Sequence, residues 1–284
     1  MAHERIPNVL SIAGSDPSGG AGIQADLKAF SALGAYGMCA LTALTAQNTT
    51  GVRGVSGVDP AFLRDQIEAV FDDVRVDAVK IGMVGSAASV TVVAECLERY
   101  RPAVVVVDPV MVAKSGDRLI DDAAVAALRD RLLPLASLIT PNLPETAVLL
   151  GDDDAPATTD AMEEAGMRLL GLGIRAALVK GGHLEGDAVT DLLCEPTGAR
   201  AYGSARVATA NTHGTGCTLS SAIAALAPAS ASMAEAVDAA RRYLVMALGA
   251  ADRLSVGHGC GPVHHFADAS ARELIRTPER WLKT

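Results

Sequence analysis

Ala103-Val104-Val105-Val106-Val107-Asp108-Pro109-Val110 decides the fold. The run has no polar alternation, so both of its faces must be buried, as in a parallel strand covered by helices on either side. Similar Val- and Ile-rich runs stand at Asn8 to Gly14, Met38 to Gln47, Ala78 to Gly82, Ser137 to Asn142, Ala176 to Gly182 and Ala205 to Thr209. Between them apolar residues recur at helical spacing, as in Ile23, Leu27 and Phe30, or Leu63, Ile67 and Val70. Asp59-Pro60 supplies a cap and a first-turn proline, and Ser86 can cap the helix that carries Val90. This order predicts an α/β protein: a three-layer αβα sandwich with a mostly parallel central sheet. Val189 to Glu195 reads as an antiparallel addition near the sheet edge. With no internal repeat and no Ser- or Pro-rich linker, residues 1–284 read as one domain.

The composition narrows the function classes. Half of the 284 residues are hydrophobic, aromatics are 3%, and the formal charge is -9. Nucleic-acid binding is disfavoured, because a phosphate-backbone binder concentrates Lys and Arg. The start, MAHERIPNVL, lacks the basic and apolar pattern of a secretory leader, and no stretch is long and apolar enough to span a membrane. A cytoplasmic location is expected. The five cysteines have no zinc spacing and fit a reducing compartment.

Some motifs fail on context. Gly171-Leu172-Gly173-Ile174-Arg175-Ala176 has the letters of a dinucleotide fingerprint but ends a helix and enters a strand, the reverse of a pyrophosphate turn. No GxxxxGK[ST] loop or GxSxG elbow is present. Asp152-Asp153-Asp154 reads as a solvated loop, and His264-His265 as surface histidines.

Other motifs converge on phosphate chemistry. Asn211-Thr212-His213-Gly214-Thr215-Gly216-Cys217-Thr218, expected to follow the strand Ala205 to Thr209, opens a helix marked by Leu219, Ile223 and Leu226. Its glycines let the amides of Thr215, Gly216 and Cys217 face an oxyanion at the positive helix end. The helix field is also expected to lower the Cys217 thiol pKa. Pro141-Asn142-Leu143-Pro144-Glu145 places polar groups at a strand's carboxyl end. Glu145 is a candidate Mg²⁺ ligand through water and Asn142 a phosphate or water orienter, although helix capping explains the same residues. Asp108 could add charge to the metal site or cap a turn. Lys180, before Gly181-Gly182, could lie along nucleotide phosphates. Ala13-Gly14-Ser15-Asp16-Pro17-Ser18-Gly19-Gly20-Ala21-Gly22 leaves room for a flat ligand, and the Gln47 carboxamide matches the amino group and ring nitrogen of an aminopyrimidine.

Together AGSDPSGGAGIQADLKAFSALGAYG, LTAQNTTGV, KIGM, DPVMVAKSGD, LITPNLPE, VKGGH and NTHGTGCTLSSAIAA resemble the ribokinase-like superfamily, and within it the bacterial hydroxymethylpyrimidine and phosphomethylpyrimidine kinases of thiamine biosynthesis. The resemblance implies ATP, Mg²⁺ and two successive phosphoryl transfers to 4-amino-5-hydroxymethyl-2-methylpyrimidine. It also implies a homodimer and no large lid. Carried over by position, Gly14, Asp26, Gln47 and Met83 contact the pyrimidine. Asn142, Lys180 and His213 serve the nucleotide, Asp108 and Glu145 the metal, and Gly214, Thr215, Gly216 and Cys217 the transferring phosphoryl group.

Cys217 departs from the superfamily's sugar kinases, which carry an Asp base there. A phosphate monoester is already largely ionised at neutral pH, and an Asp would repel it. Cys217 is therefore expected to assist the alcohol in the first transfer and to remain neutral in the second. A pyridoxal or pyridoxine kinase is the alternative on the same scaffold, and a catalytically silent nucleotide or vitamin sensor a more distant one.

Overall fold

The computed structural model describes residues 5–111 and 120–267, so Val112 to Asp117 of the DPVMVAKSGD motif lie outside the described residues. The strands are β1 (Asn8–Ser15), β2 (Tyr36–Asn48), β3 (Gly51–Gly57), β4 (Ala78–Ile81), β5 (Val104–Val107), β6 (Leu138–Ile139), β7 (Ala177–Val179), β8 (Ala188–Glu195) and β9 (Gly198–Ala205). The helices are α1 (Gly22–Ala32), α2 (Pro60–Asp73), α3 (Ala87–Tyr100), α4 (Asp122–Ala127), α5 (Leu143–Leu150), α6 (Thr159–Leu170), α7 (Thr215–Leu226) and α8 (Met233–Gly249). One nine-stranded sheet runs β3-β2-β1-β4-β5-β6-β7-β8-β9, parallel from β2 to β7 and antiparallel at both edges.

Alternate strand residues feed two cores. Val79, Ile81, Val105 and Val107 pack with the layer of α2 to α6, whereas Val9, Ala78, Val106 and Leu178 pack with α1, α7 and α8. This two-sided burial is what the unalternated valine run demanded. Asp59 caps α2 through the amides of Ala61 and Phe62, and Ser86 caps α3 through Ser89 N. The chain leaves β1 for β2 on one side and returns to β4 on the other, so a crevice opens at the carboxyl ends where the winding reverses.

Three expectations change. The strand placed over Ala205 to Thr209 ends at Ala205 as the last residue of β9, and Arg206 instead turns its guanidinium onto the carbonyls of Gly182, Leu184 and Gly186. β3 and β9 had no apolar alternation to mark them; their ladders come from antiparallel partners, β2 and β8, the latter expected as an antiparallel addition near the edge and found one strand in from it. His264 and His265 are buried, not surface residues, because the chain after α8 folds back over α7. His265 Nε2 lies 2.9 Å from Thr218 Oγ1, whose single proton goes to Gly214 O at 2.7 Å, so the ring nitrogen is the donor.

The layer of α1 and α7 is joined to the sheet by a buried charge. Lys80 on β4 is fully buried, with Nζ 2.8 and 2.9 Å from the two carboxylate oxygens of Asp26 on α1. Ser11 Oγ (2.6 Å) and Ser221 Oγ (2.7 Å) donate to the same carboxylate from β1 and α7. Burial opposes the lysine charge, but Asp26, Cys217 and Asp108 outweigh it and hold the pKa above the ordinary value.

Removing one partner of such a pair strands the other. Asp26→Ala should lose about 3–5 kcal/mol in urea unfolding, while Asp26→Leu with Lys80→Met should recover most of it. Burial, with Lys28 and His264 adding to it, pushes His265 down to about 4 from an ordinary 6.5. Its folded value is the depressed one, so its contribution is present above pH 6.5 and lost as pH falls through 4. His265→Gln should therefore flatten the stability decline between pH 6.5 and 4, an effect on the order of 2–3 kcal/mol in denaturant titrations at the two ends.

Candidate active site

Strand ends bring the charges together. Asp108, one residue past β5, is buried and accepts from Lys180 Nζ at 2.8 Å and from Thr140 Oγ1 at 3.1 Å. Burial would raise its pKa, but Lys180 and Lys80 hold it below the carboxylate range. Lys180, just past β7, is raised despite burial by Asp108 and Glu145. Asp191 on β8 fixes the turn that follows, accepting from Gly181 N at 2.9 Å and from Arg241 Nε at 2.8 Å.

Asn142 and Glu145 do form the capping box of α5. Glu145 N donates to Asn142 Oδ1 at 2.9 Å and Asn142 N to Glu145 Oε2 at 2.8 Å. Both still line the cavity described below. Burial first, then Asp108, pushes the Glu145 carboxyl up to about 7 against Lys180 and the amides of Asn142 and Met111. Among the described residues no group of three or more His, Cys, Asp and Glu could hold a metal. A cation held by two carboxylates, water and substrate phosphates is the arrangement Mg²⁺ favours, and Asp108 and Glu145 fit it.

The α7 turn faces this cluster. Gly214 has φ +77, and a Cβ there would stand 1.8 Å from Gly20 O, so only glycine fits. No side chain caps α7, and a Cβ on Gly216 would lie 3.3 Å from both Asp108 Oδ2 and Lys180 Nζ. An uncapped helix start with Lys180 beside it can receive an anion. The expectation for the thiol reverses, because Cys217 is pushed up to about 11 by burial, reinforced by Asp26 and Asp108 and only partly offset by Lys80 and the Gly22 amide. It is a neutral thiol at pH 7. The helix field acts on it, but lost hydration is the larger effect.

The loop after β1 is wound around Asp16. Its carboxylate accepts from Ser18 N, Ser18 Oγ, Gly20 N and Ala21 N at 2.6–3.1 Å and lies 2.8 Å from His213 Nε2. Burial acts against the charge, yet these bonds lower the pKa to about 2. His213 is thus tied to the Asp16 loop while also lining the cavity.

One cavity of about 710 Å³ joins these parts. Gly14, Gln47 and Met83 line one end, and the α7 turn, Asp108, Asn142, Glu145 and Lys180 line the middle. Val189, Val207, Leu244 and Leu248 give the far end an apolar wall. Asp26 is not brought to the cavity: its carboxylate is enclosed beneath the floor by Lys80, Ser11 and Ser221. Sequence reasoning also missed Lys80, Asp191, Arg206 and the role of Asp16. Only Asp16 carried a readable signal, since Asp-Pro-Ser-Gly is a turn whose carboxylate takes up nearby amides.

The family profile described as phosphomethylpyrimidine kinase matches residues 16–264. The chain is similar to the hydroxymethylpyrimidine/phosphomethylpyrimidine kinase of Escherichia coli, 55% identical over 91% of this chain and 97% of that one. The Rhizobium meliloti protein of the same name is 52% identical over 90% and 96%. Among solved structures, the phosphomethylpyrimidine kinase of Clostridium difficile has a TM-score of 0.76 at 43% identity, covering 86% of this chain and all of that one. The ADP complex of Bacillus subtilis pyridoxal kinase has a TM-score of 0.85 at 36% identity, covering 93% and 98%. The chain belongs to the phosphomethylpyrimidine kinase family.

Proposed function

We infer that this kinase transfers the terminal phosphoryl group of ATP to 4-amino-5-hydroxymethyl-2-methylpyrimidine, and then a second one to the resulting monophosphate, as a step of thiamine biosynthesis. The observation that carries this reading is the shared cavity, in which the α7 turn, Lys180 and Asp108 stand between a Gln47–Met83 end and an apolar end. Residues 1–284 act as one catalytic unit in this reading, working in the cytoplasm.

The apolar wall of Val189, Val207, Leu244 and Leu248 suits the adenine ring, which puts the phosphates over Lys180, Asn142 and His213. The Gln47 carboxamide reads the aminopyrimidine edge, with Gly14 and Met83 against the ring. Amides of the turn from Gly214 to Cys217 receive the charge that develops on the transferring group. Mg²⁺, when bound at Asp108 and Glu145 through water, neutralises charge on the nucleotide phosphates. A homodimer formed through the outer strand β3 is supported by its open hydrogen-bonding edge and by the exposure of Val55 and Leu44 on the hairpin.

A pyridoxal kinase is the second reading, favoured by the likeness to the Bacillus subtilis enzyme. Incubating the enzyme with ATP and, in parallel, the pyrimidine alcohol, its monophosphate and pyridoxal should yield the pyrimidine monophosphate and diphosphate. Turnover of pyridoxal alone would overturn the assignment.

The neutral thiol bears on the second step, in which an anionic acceptor approaches. Cys217→Asp should impair phosphorylation of the monophosphate more than that of the alcohol, by about tenfold or more, because one charge placed beside a dianion at low dielectric costs well over 1 kcal/mol. Cys217→Ala should show the opposite bias. Equal losses in both half-reactions of both variants would sink this role.

A further inference from the structure

Two transfers at one turn pose a geometric problem. In the monophosphate the attacking oxygen lies a whole phosphate farther from the pyrimidine ring than in the alcohol. Either the phosphoryl-receiving turn moves or the ring does.

The turn is pinned from three sides. Gly214 lies against the backbone of Gly20, His213 is bound to Asp16 at 2.8 Å, and Thr218 is bound to Gly214 O at 2.7 Å and to His265 at 2.9 Å. Asp16 and His265 are buried and reach the turn from opposite ends of the chain. A segment clamped in this way does not shift with each substrate.

The ring end has room behind it. Gln47 and His213 line the main cavity and also a second, solvent-open cleft of about 360 Å³, bordered by the turn from Asn48 to Gly51 and by Gly259 and Cys260. That volume reaches the lower range of small-ligand sites. Its walls are built rather than loose. Asn48 Oδ1 accepts from Thr50 N at 2.9 Å and Thr50 Oγ1 at 2.7 Å, and Cys260 N donates to Thr49 O at 2.9 Å. A Cβ on Gly259 would stand 2.0 Å from Thr49 O, so the two segments meet backbone to backbone. The lining mixes the amides of Gln47 and Asn48 and the hydroxyls of Thr49 and Thr50 with a comparable share of carbon surface, which suits a flat ring that carries donors and acceptors on its edge.

We propose that this cleft is a second ring subsite, into which the aminopyrimidine withdraws past Gln47 when its monophosphate takes the acceptor position. The proposal rests on the two-step reading above and deepens it. The alcohol binds with its ring in the main cavity and its oxygen at the turn. The monophosphate puts its terminal oxygen at the same point, and its ring moves back by the length of the added phosphate. In that step the phosphate oxygen attacks the γ-phosphorus, the bond to the ADP oxygen breaks, and the pyrimidine diphosphate and ADP leave.

Filling the cleft should therefore separate the two reactions. Cys260→Phe should lower kcat/KM for the monophosphate relative to that for the alcohol by about tenfold or more, the scale of discrimination that a filled pocket gives. A second arm uses the unaltered protein: iodoacetamide labelling of Cys260, followed by peptide mass spectrometry, with a non-hydrolysable ATP analogue and either acceptor. The monophosphate should slow labelling more than the alcohol does. An unchanged ratio in the variant, or equal protection by the two acceptors while wild-type enzyme phosphorylates both, overturns the subsite alone. Wild-type enzyme that phosphorylates neither pyrimidine overturns the functional reading together with it.

Discussion

A lysine sealed from water dictates much of what surrounds it. Lys80 sits on a central strand with no exposure, so its charge must be met within reach, and the fold meets it with Asp26 from α1. That carboxylate must in turn satisfy its remaining lone pairs, which draws in Ser11 from the sheet and Ser221 from α7. Four elements are thereby held at fixed separation by one group. The apolar interfaces of these small-residue helices could slide by a fraction of a side chain; a fully bonded carboxylate cannot. The start of α7, and with it the turn from Gly214 to Cys217, inherits that precision.

The same charge sets the character of the cavity above it. Lys80 and Lys180 border a site in which Asp108 is held below the usual carboxylate range, Glu145 is pushed up to about 7 and Cys217 stays a thiol. Negative charge is thus held at Asp108, in the middle of the cavity, and is absent at Cys217 on the turn. Such a distribution favours an incoming anion without supplying a fixed competitor for the same amides. A carboxylate in place of Cys217 would invert that balance.

Much of this was legible in the chain, for identifiable reasons. Ala103 to Val107 could only be a strand buried on both faces, and Pro141 to Glu145 and Gly214 to Cys217 carry residues whose backbone chemistry is local. What stayed hidden depended on contacts distant in sequence. The resemblance carries Asp26 over as a substrate contact, and nothing near it in sequence announces its partner Lys80, 54 residues away on β4. The titration of Cys217 was misjudged because a helix start is visible in sequence whereas the loss of water around it is not. β3 and β9 escaped because their hydrogen bonds come from neighbours rather than from any pattern of their own, and His265 because nothing local announces that the chain returns over α7.

The span of those contacts also orders how the protein comes into being on the ribosome. His213 meets Asp16 across 197 residues and Ser221 meets Asp26 across 195. The β1 loop and α1 therefore emerge long before their last partners exist: Asp26 can meet Ser11 and Lys80 early, but Ser221 only once the α7 segment has been synthesised. Early strands can pair as they appear, since β1 and β2 are joined by a single helix, but the last layer closes late and over a long loop. The contacts that fix the start of α7 are thus among the last to become possible.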